Sequence, residues 1–381
     1  MRRVVLVTTS YPTSADGSEA AGGFVWSLCA SLAQQLQVTV VAPSLEAKRC
    51  TVEGVDQRYF AVDRLPLSLL SPTNPAAWGS IYRVLTNGYR AVAEASAEVD
   101  AEHVICLWAL PCGYWARKAR ESLGTPYSVW ALGSDIWALG KVPVVRSVLR
   151  RVLQDSAHCY ADGLELCEQV TAISGRECEF LPSCRRLTTA PLDPKAPQGL
   201  HRLAYLGRWH LNKGVDILMQ ALSLLRAGDW ARIEQVRIAG GGPLDSQVWA
   251  AVDDLVRQGR PVQVEGYKDA AAALALFQWA HYVLIPSRIE SIPVVFSDAM
   301  QCGCPVVCNP VGDLPRLVTQ YGVGIVGREV SALAYAQALS EALLAGVGRY
   351  ASGVGQAARD FDIEAVAARL ARAVALTQGN G

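Results

Sequence analysis

A chain of 381 residues, 51% apolar and 18% charged, is long enough for two domains with cores of their own and too apolar to be disordered. Its 35 basic and 35 acidic residues cancel, so no global field draws it to nucleic acid, and none is expected as a partner. Eleven cysteines are scattered without a Cys-x-x-Cys pair, and the single residue between Cys302 and Cys304 is too little for a zinc knuckle. Buried free thiols in a reducing cytoplasm are therefore expected, and no metal site.

The apolar run that opens the chain is too short for a signal peptide or a membrane span and reads as a strand over 4–7. A polar loop then ends in Gly22-Gly23, before Phe24, Leu28, Leu32 and Leu36 at helical spacing. Strand, glycine pair and helix put unhindered amides where a phosphate could sit, although a plain helix entry explains the pair as well. The six-residue dinucleotide fingerprint is absent, which disfavours a nicotinamide enzyme. Strands over 38–41 and 59–62, a helix over 76–97 and a strand over 104–107 continue the alternation. Such alternation predicts a parallel sheet covered on both faces, with ligands beyond the carboxyl ends of its strands. Two loops leave those ends with unusual chemistry: one begins at Trp108, and Gly133-Ser134-Asp135 follows a strand over 127–130. An Asx-type turn accounts for the second equally. A basic amphipathic helix over 145–153 turns Arg146, Arg150 and Arg151 outward, as a solvated face or as a weak peripheral contact with an anionic membrane. A strand over 158–160, a helix from 164 and a strand over 179–181 complete a first domain, 1–186. The proline-rich stretch 187–200 reads as a linker.

A second domain, 201–360, opens with a strand over 202–206. The loop that follows carries Arg208 and Lys213 five residues apart, just before an apolar helix from Val215. Two cations and a helix N-terminus suit a diphosphate, and a solvated loop is the alternative. A strand over 236–239 leads into Gly240-Gly241-Gly242-Pro243, with the proline at the first helical position, a tight approach to a ligand or simply a close helix–strand contact, and a strand over 262–264 leads into Gly266-Tyr267. After a strand over 283–285, Pro286-Ser287 makes a turn, a helix opens near Pro293, and another buried strand follows Gly303. Glu290 and Asp298 are eight apart with the helix start between them, so Glu290 falls in the loop and Asp298 about one and a half turns into the helix. Both can face one crevice, beside the amides around Ser291, Ile292 and Pro293; a surface loop residue and a solvated helix residue are the alternative. The five histidines show no metal spacing. Residues 361–381 form a helix expected to pack back across the domains, and Asp360-Phe361-Asp362 is better taken as its N-cap than as a metal motif.

The run PSRIESIPVVFSDAMQCGCPVV, together with YLGRWHLNKGVDILMQAL and NPVGDL, resembles the retaining glycosyltransferases of family 4, which have the GT-B fold: two Rossmann-like doubly wound α/β domains facing across a cleft. The resemblance covers most of 203–318 and is looser before it. It implies transfer of a sugar from a nucleotide-diphosphate donor, such as a UDP- or GDP-sugar, to a glycan or lipid-linked acceptor with retention of configuration and without a cofactor. Arg208 and Lys213 would then bind the diphosphate, and Glu290 would orient the sugar. Gly22, Gly23, Gly241, Tyr267, Ser291, Ile292, Pro293 and Asp298 would line the donor, with Asp298 on the ribose and Tyr267 at the base, where a packed aromatic is the equal alternative. Trp108, Ser134 and Asp135 would face the acceptor. Three positions depart from the pattern: Asp298 replaces the usual second Glu, Leu132 stands where a His often precedes Gly-Ser-Asp, and no His adjoins Trp108. A non-catalytic sugar-nucleotide binder and a GT-B epimerase or phosphorylase remain alternatives.

Overall fold

The computed structural model describes residues 1–11, 23–67, 70–71, 73–137, 140, 142–187 and 199–377. The chain divides into two compact units, residues 1–186 with 363–381, and residues 187–362. The expected linker falls largely, and Gly22 wholly, outside the described residues.

The first unit is built on strands β1 (Arg3–Val7), β2 (Gln37–Ser44), β3 (Lys48–Val52), β4 (Val55–Ala61), β5 (His103–Leu107), β6 (Tyr127–Ala131), β7 (Cys159–Ala161) and β8 (Glu179–Phe180). They lie side by side in the order β3-β4-β2-β1-β5-β6-β7-β8. Side chains alternate across β1, so Val5 and Val7 enter the core on one face of the sheet while Val4 and Leu6 enter the core on the other. Helix Trp78–Glu98 covers the first face. Helix Gly23–Leu32 covers the second together with helix Ile363–Leu376, whose Ile363, Val366, Leu370 and Val374 are enclosed there. At roughly 1.5–3 kcal/mol for each aliphatic side chain removed from water, that helix contributes as much as a small domain's whole net stability.

One strand breaks the expected parallel pattern. β3 pairs antiparallel with β4 through a two-residue turn in which Glu53 and Gly54 both have positive φ (51° and 79°). Its residues are almost all exposed and it begins Lys48-Arg49, so the sheet ends in a charged edge that resists further pairing.

The second unit holds β9 (His201–Arg208), β10 (Ile233–Gly241), β11 (Val262–Glu265), β12 (Tyr282–Ile285), β13 (Val306–Cys308) and β14 (Gly324–Val326). All pairings are parallel, in the order β11-β10-β9-β12-β13-β14. Strand order reverses between β9 and β12, and a crevice opens beyond the carboxyl ends of strands at such a point. The helix after β10 spans Asp245–Arg257, so Pro243 precedes it instead of opening it; the Asp245 carboxylate turns back to accept from Gly242 N at 2.5 Å. Helix Val294–Gln301 is pinned by Phe296, whose ring meets Phe361 edge-on at 5.2 Å.

Candidate active site

The two loops at the switch point of the second unit carry the charged residues singled out in the sequence. β9 continues to Arg208 because Gly207 and Arg208 pair with Gly240 and Gly241, and a Cβ on Gly240 would collide with Gly207 O. The Arg208 side chain is exposed and makes no ion pair or hydrogen bond with a described residue. The chain then turns through Leu211–Lys213, where His210 Nδ1 accepts from Asn212 N, and reaches Gly214 at φ +67°. A side chain on Gly214 would strike Pro286 O, so glycine is what lets this loop lie against the loop after β12.

That approach brings Lys213 and Glu290 together. Lys213 Nζ lies 2.5 Å from Glu290 Oε1, and Ser287 Oγ donates to the same oxygen at 3.0 Å. Among the described residues Glu290 Oε2 has no partner, and the side chain is 12% exposed. A half-engaged carboxylate beside a cation can accept a hydroxyl from a ligand without first breaking its own contacts.

Residues beyond the motif's charged pair fix this geometry. Arg288 meets both carboxylate oxygens of Asp216 at 2.7 Å. Burial raises the Asp216 pKa, but the hydrogen bonds and charge of Arg288 outweigh it and leave the carboxyl below its ordinary range. Asn309, fully buried, donates Nδ2 to Pro286 O at 2.7 Å. Gly312, at φ +52°, seats the loop after β13 against the carbonyls of Glu290 and Ser291, where a Cβ would collide, and Asp313 N donates to Ser291 O at 3.2 Å. Pro293 is the N-cap of helix Val294–Gln301, which no side chain caps, so free amides start beside Glu290. Ser291 and Ile292 are half-buried and Pro293 buried. The clamping roles of Arg288, Asp216 and Gly312 went unread in the sequence, although Arg288 stands inside the motif and Asp216 three residues after Lys213.

Two donor-side expectations meet a different environment. Asp298 is wholly buried in its helix and engaged there, so it presents no surface to a ribose. Phe296 to Met300, polar Ser297 and Asp298 included, are all buried, leaving that helix no exposed face near its middle. Gly241 is buried beneath Tyr267, whose ring a Cβ on Gly241 would approach to 2.5 Å; Tyr267 itself is 74% exposed, its outer face free.

In the first unit Gly23 begins helix Gly23–Leu32 with open space where its Cβ would be, so close packing does not require glycine there. Trp108 follows β5 with φ 72° and ψ 128°, a rare backbone state for a bulky residue, and its N–H donates to Trp130 O. Asp135 is 1% exposed: Oδ2 accepts from Ala109 N at 2.5 Å and Oδ1 from Leu132 N at 3.3 Å. Burial pushes its carboxyl up to about 6, against the pull of the surrounding N–H groups. Asp135 therefore staples the loops after β5 and β6 to each other instead of facing outward. Ser134 opens the short helix Ser134–Trp137. His103 is buried against Ser128 Oγ at 2.8 Å, and burial brings its pKa down to about 3, so it stays neutral. Among the described residues no group of three His, Cys, Asp or Glu side chains is placed to hold a metal ion.

Comparison with known proteins agrees with this architecture. Residues 201–344 match the family Glycosyl transferases group 1. The chain is 31% identical over 162 residues to a D-inositol 3-phosphate glycosyltransferase of Corynebacterium aurimucosum, covering 42% of this chain and only 37% of that relative. It is 26% identical over 375 residues to a GDP-mannose-dependent alpha-(1-6)-phosphatidylinositol monomannoside mannosyltransferase of Mycobacterium tuberculosis, covering 89% of each. Anabaena HepE, solved in complex with UDP and glucose, superposes with a TM-score of 0.65 at 14% identity, over 99% of this chain and 100% of that one. The protein has the GT-B fold, and residues 201–344 of its second unit are similar to the glycosyl transferases group 1 family.

Proposed function

We propose that the protein transfers a sugar from a nucleotide-diphosphate donor to a glycan or lipid-linked acceptor with retention of configuration, as family 4 enzymes do. The observation that carries this reading is the Lys213–Glu290 pair at the β9/β12 switch point, with one carboxylate oxygen open and the unpaired Arg208 at the end of β9. As the bond from the anomeric carbon to the phosphate oxygen breaks, negative charge grows on the leaving diphosphate and positive charge on the sugar. Arg208, Lys213 and the free amides after Pro293 stabilise the former, each positioned group supplying about 2–4 kcal/mol in the transition state. Glu290 Oε2 holds a sugar hydroxyl, and Tyr267 offers its open face to the base.

Retention leaves the acceptor on the same face as the departing phosphate, so a phosphate oxygen can take its proton and no histidine is required. The relatives' names support a GDP- or UDP-sugar as donor and a lipid-linked acceptor. Asp135 serves the acceptor side by shaping the loop that carries Trp108. Among the described residues no helix is long and apolar enough to cross a membrane, and a peripheral contact would use the exposed Arg146, Arg150 and Arg151 of helix Pro143–Asp155.

Thermal shift with UDP, GDP, UDP-glucose and GDP-mannose, repeated on Arg208→Ala, tests the donor assignment. One base should stabilise the wild-type protein and lose its effect in the variant; an undiminished shift would remove Arg208 from the site. Turnover of the stabilising donor in the presence of a lipid-linked or glycan acceptor, absent with the donor alone, separates a transferase from a binder or an epimerase.

A further inference from the structure

Lys213 and Glu290 come from different loops, and a partly exposed ion pair is too weak to hold two loops in register. Arg288 makes four bonds that do. Its backbone N–H donates to Asn212 O at 2.8 Å, its Nη1 to Leu211 O at 2.6 Å, and its two terminal nitrogens meet the Asp216 carboxylate at 2.7 Å each. These acceptors bracket Lys213 in sequence, and Arg288 stands two residues before Glu290. Asp216 lies in the first turn of helix Val215–Leu224, which is anchored by the buried Val215, Ile217 and Leu218. The planar guanidinium suits this two-oxygen contact as a lysine ammonium does not.

We propose that Arg288 is a positioning residue: through Asp216 and the Leu211 and Asn212 carbonyls it sets the distance between the Lys213 ammonium and the Glu290 carboxylate, and so the register in which a donor's diphosphate and its sugar are held at once. The inference rests on the donor site proposed above. Arg288 acts through the pair, since its terminal nitrogens are already engaged. Its loss therefore weakens a ligand that spans both groups more than one that reaches Lys213 alone.

The test is calorimetric titration of the wild-type protein, Lys213→Ala, Arg288→Lys and the double variant with UDP, GDP, UDP-glucose and GDP-mannose. For the base that binds, Arg288→Lys should keep its melting temperature within a few degrees and bind the sugar nucleotide about tenfold more weakly, the worth of one charge-assisted hydrogen bond. The free diphosphate should lose less, and the effect should vanish in the Lys213→Ala background. Asp216→Asn, which leaves the bonds to Leu211 O and Asn212 O in place, carries the same expectation should Arg288→Lys not fold. Wild-type affinity in Arg288→Lys, equal losses for both ligands, or losses that multiply in the double variant overturn the inference while Lys213→Ala still weakens binding. If Lys213→Ala binds as the wild-type protein does, or no nucleotide binds at all, the donor site itself fails and the inference goes with it.

Discussion

Each unit places an acidic residue just beyond the carboxyl end of a central strand, and the two carboxylates are used in opposite ways. Asp135, after β6, is enclosed and fills both oxygens with backbone N–H groups of its own and the neighbouring loop. Glu290, after β12, keeps both of its described contacts on one oxygen and leaves the other open. The distinction lies in the partners: backbone amides cannot be exchanged for a ligand without unmaking the loop, whereas a lysine and a serine hydroxyl can share a carboxylate with a newcomer. An acidic residue at a strand end is thus evidence of a site only once the occupancy of its two oxygens is known.

The widest separation between the two carboxylates should appear on replacing Glu290. Glu290→Ala is expected to lower kcat/KM about a hundredfold or more with the melting temperature little changed; a variant of near wild-type activity would make Glu290 as structural as Asp135. Gly312→Ala should break the seating of the Glu290 loop from the other side, costing about 1–3 kcal/mol of stability and also activity, because its Cβ would collide with the Glu290 carbonyl. Denaturant unfolding together with a donor titration reads both effects.

Asp135→Ala should orphan the Ala109 N–H and cost about 1–3 kcal/mol without touching nucleotide affinity. Its pH dependence has a definite sign. The carboxyl titrates at about 6 when folded and at 3.8 in its unperturbed state, so the folded chain binds the extra proton between those values. The advantage of the wild-type protein over the variant is then fully present below pH 4 and declines as pH rises through 6. An advantage that grows over that range would contradict the burial of Asp135. Asp298→Glu adds a methylene to a closed position and should destabilise by about 1–3 kcal/mol; a variant that instead keeps its stability and binds donor more tightly would restore Asp298 to the ribose. The smallest effect is expected from Tyr267→Ala, a few-fold loss in nucleotide affinity with no change in stability, as befits a ring exposed on its outer face.

Much of this was legible in the chain. The strand-loop-helix rhythm around Arg208, Lys213 and Glu290 follows from apolar periodicity and from glycines where loops touch, and the structure puts those loops side by side at a strand-order reversal. β3 was not legible, since Glu-Gly is a weak hairpin signal and a charged edge strand has no alternating apolar face. Nor was the burial of Asp298. An eight-residue helix covered around its middle has no amphipathic face to show which side chains reach solvent, so spacing fixed the turn of the helix but not its surroundings. For Asp135 the residue type was informative and the partners were not, because the N–H group it accepts belongs to a loop 26 positions away.

Helix Ile363–Leu376 imposes an order on synthesis. Its apolar face completes a core begun by β1, while all of the second unit lies between the two in sequence. As the chain leaves the ribosome, the first unit must wait with part of its sheet uncovered until residues past 363 emerge, by which time the second unit can already have closed. The unit begun first is the last to be finished, and a transcript or protease product cut at the intervening segment would yield a first unit lacking its lid of aliphatic side chains.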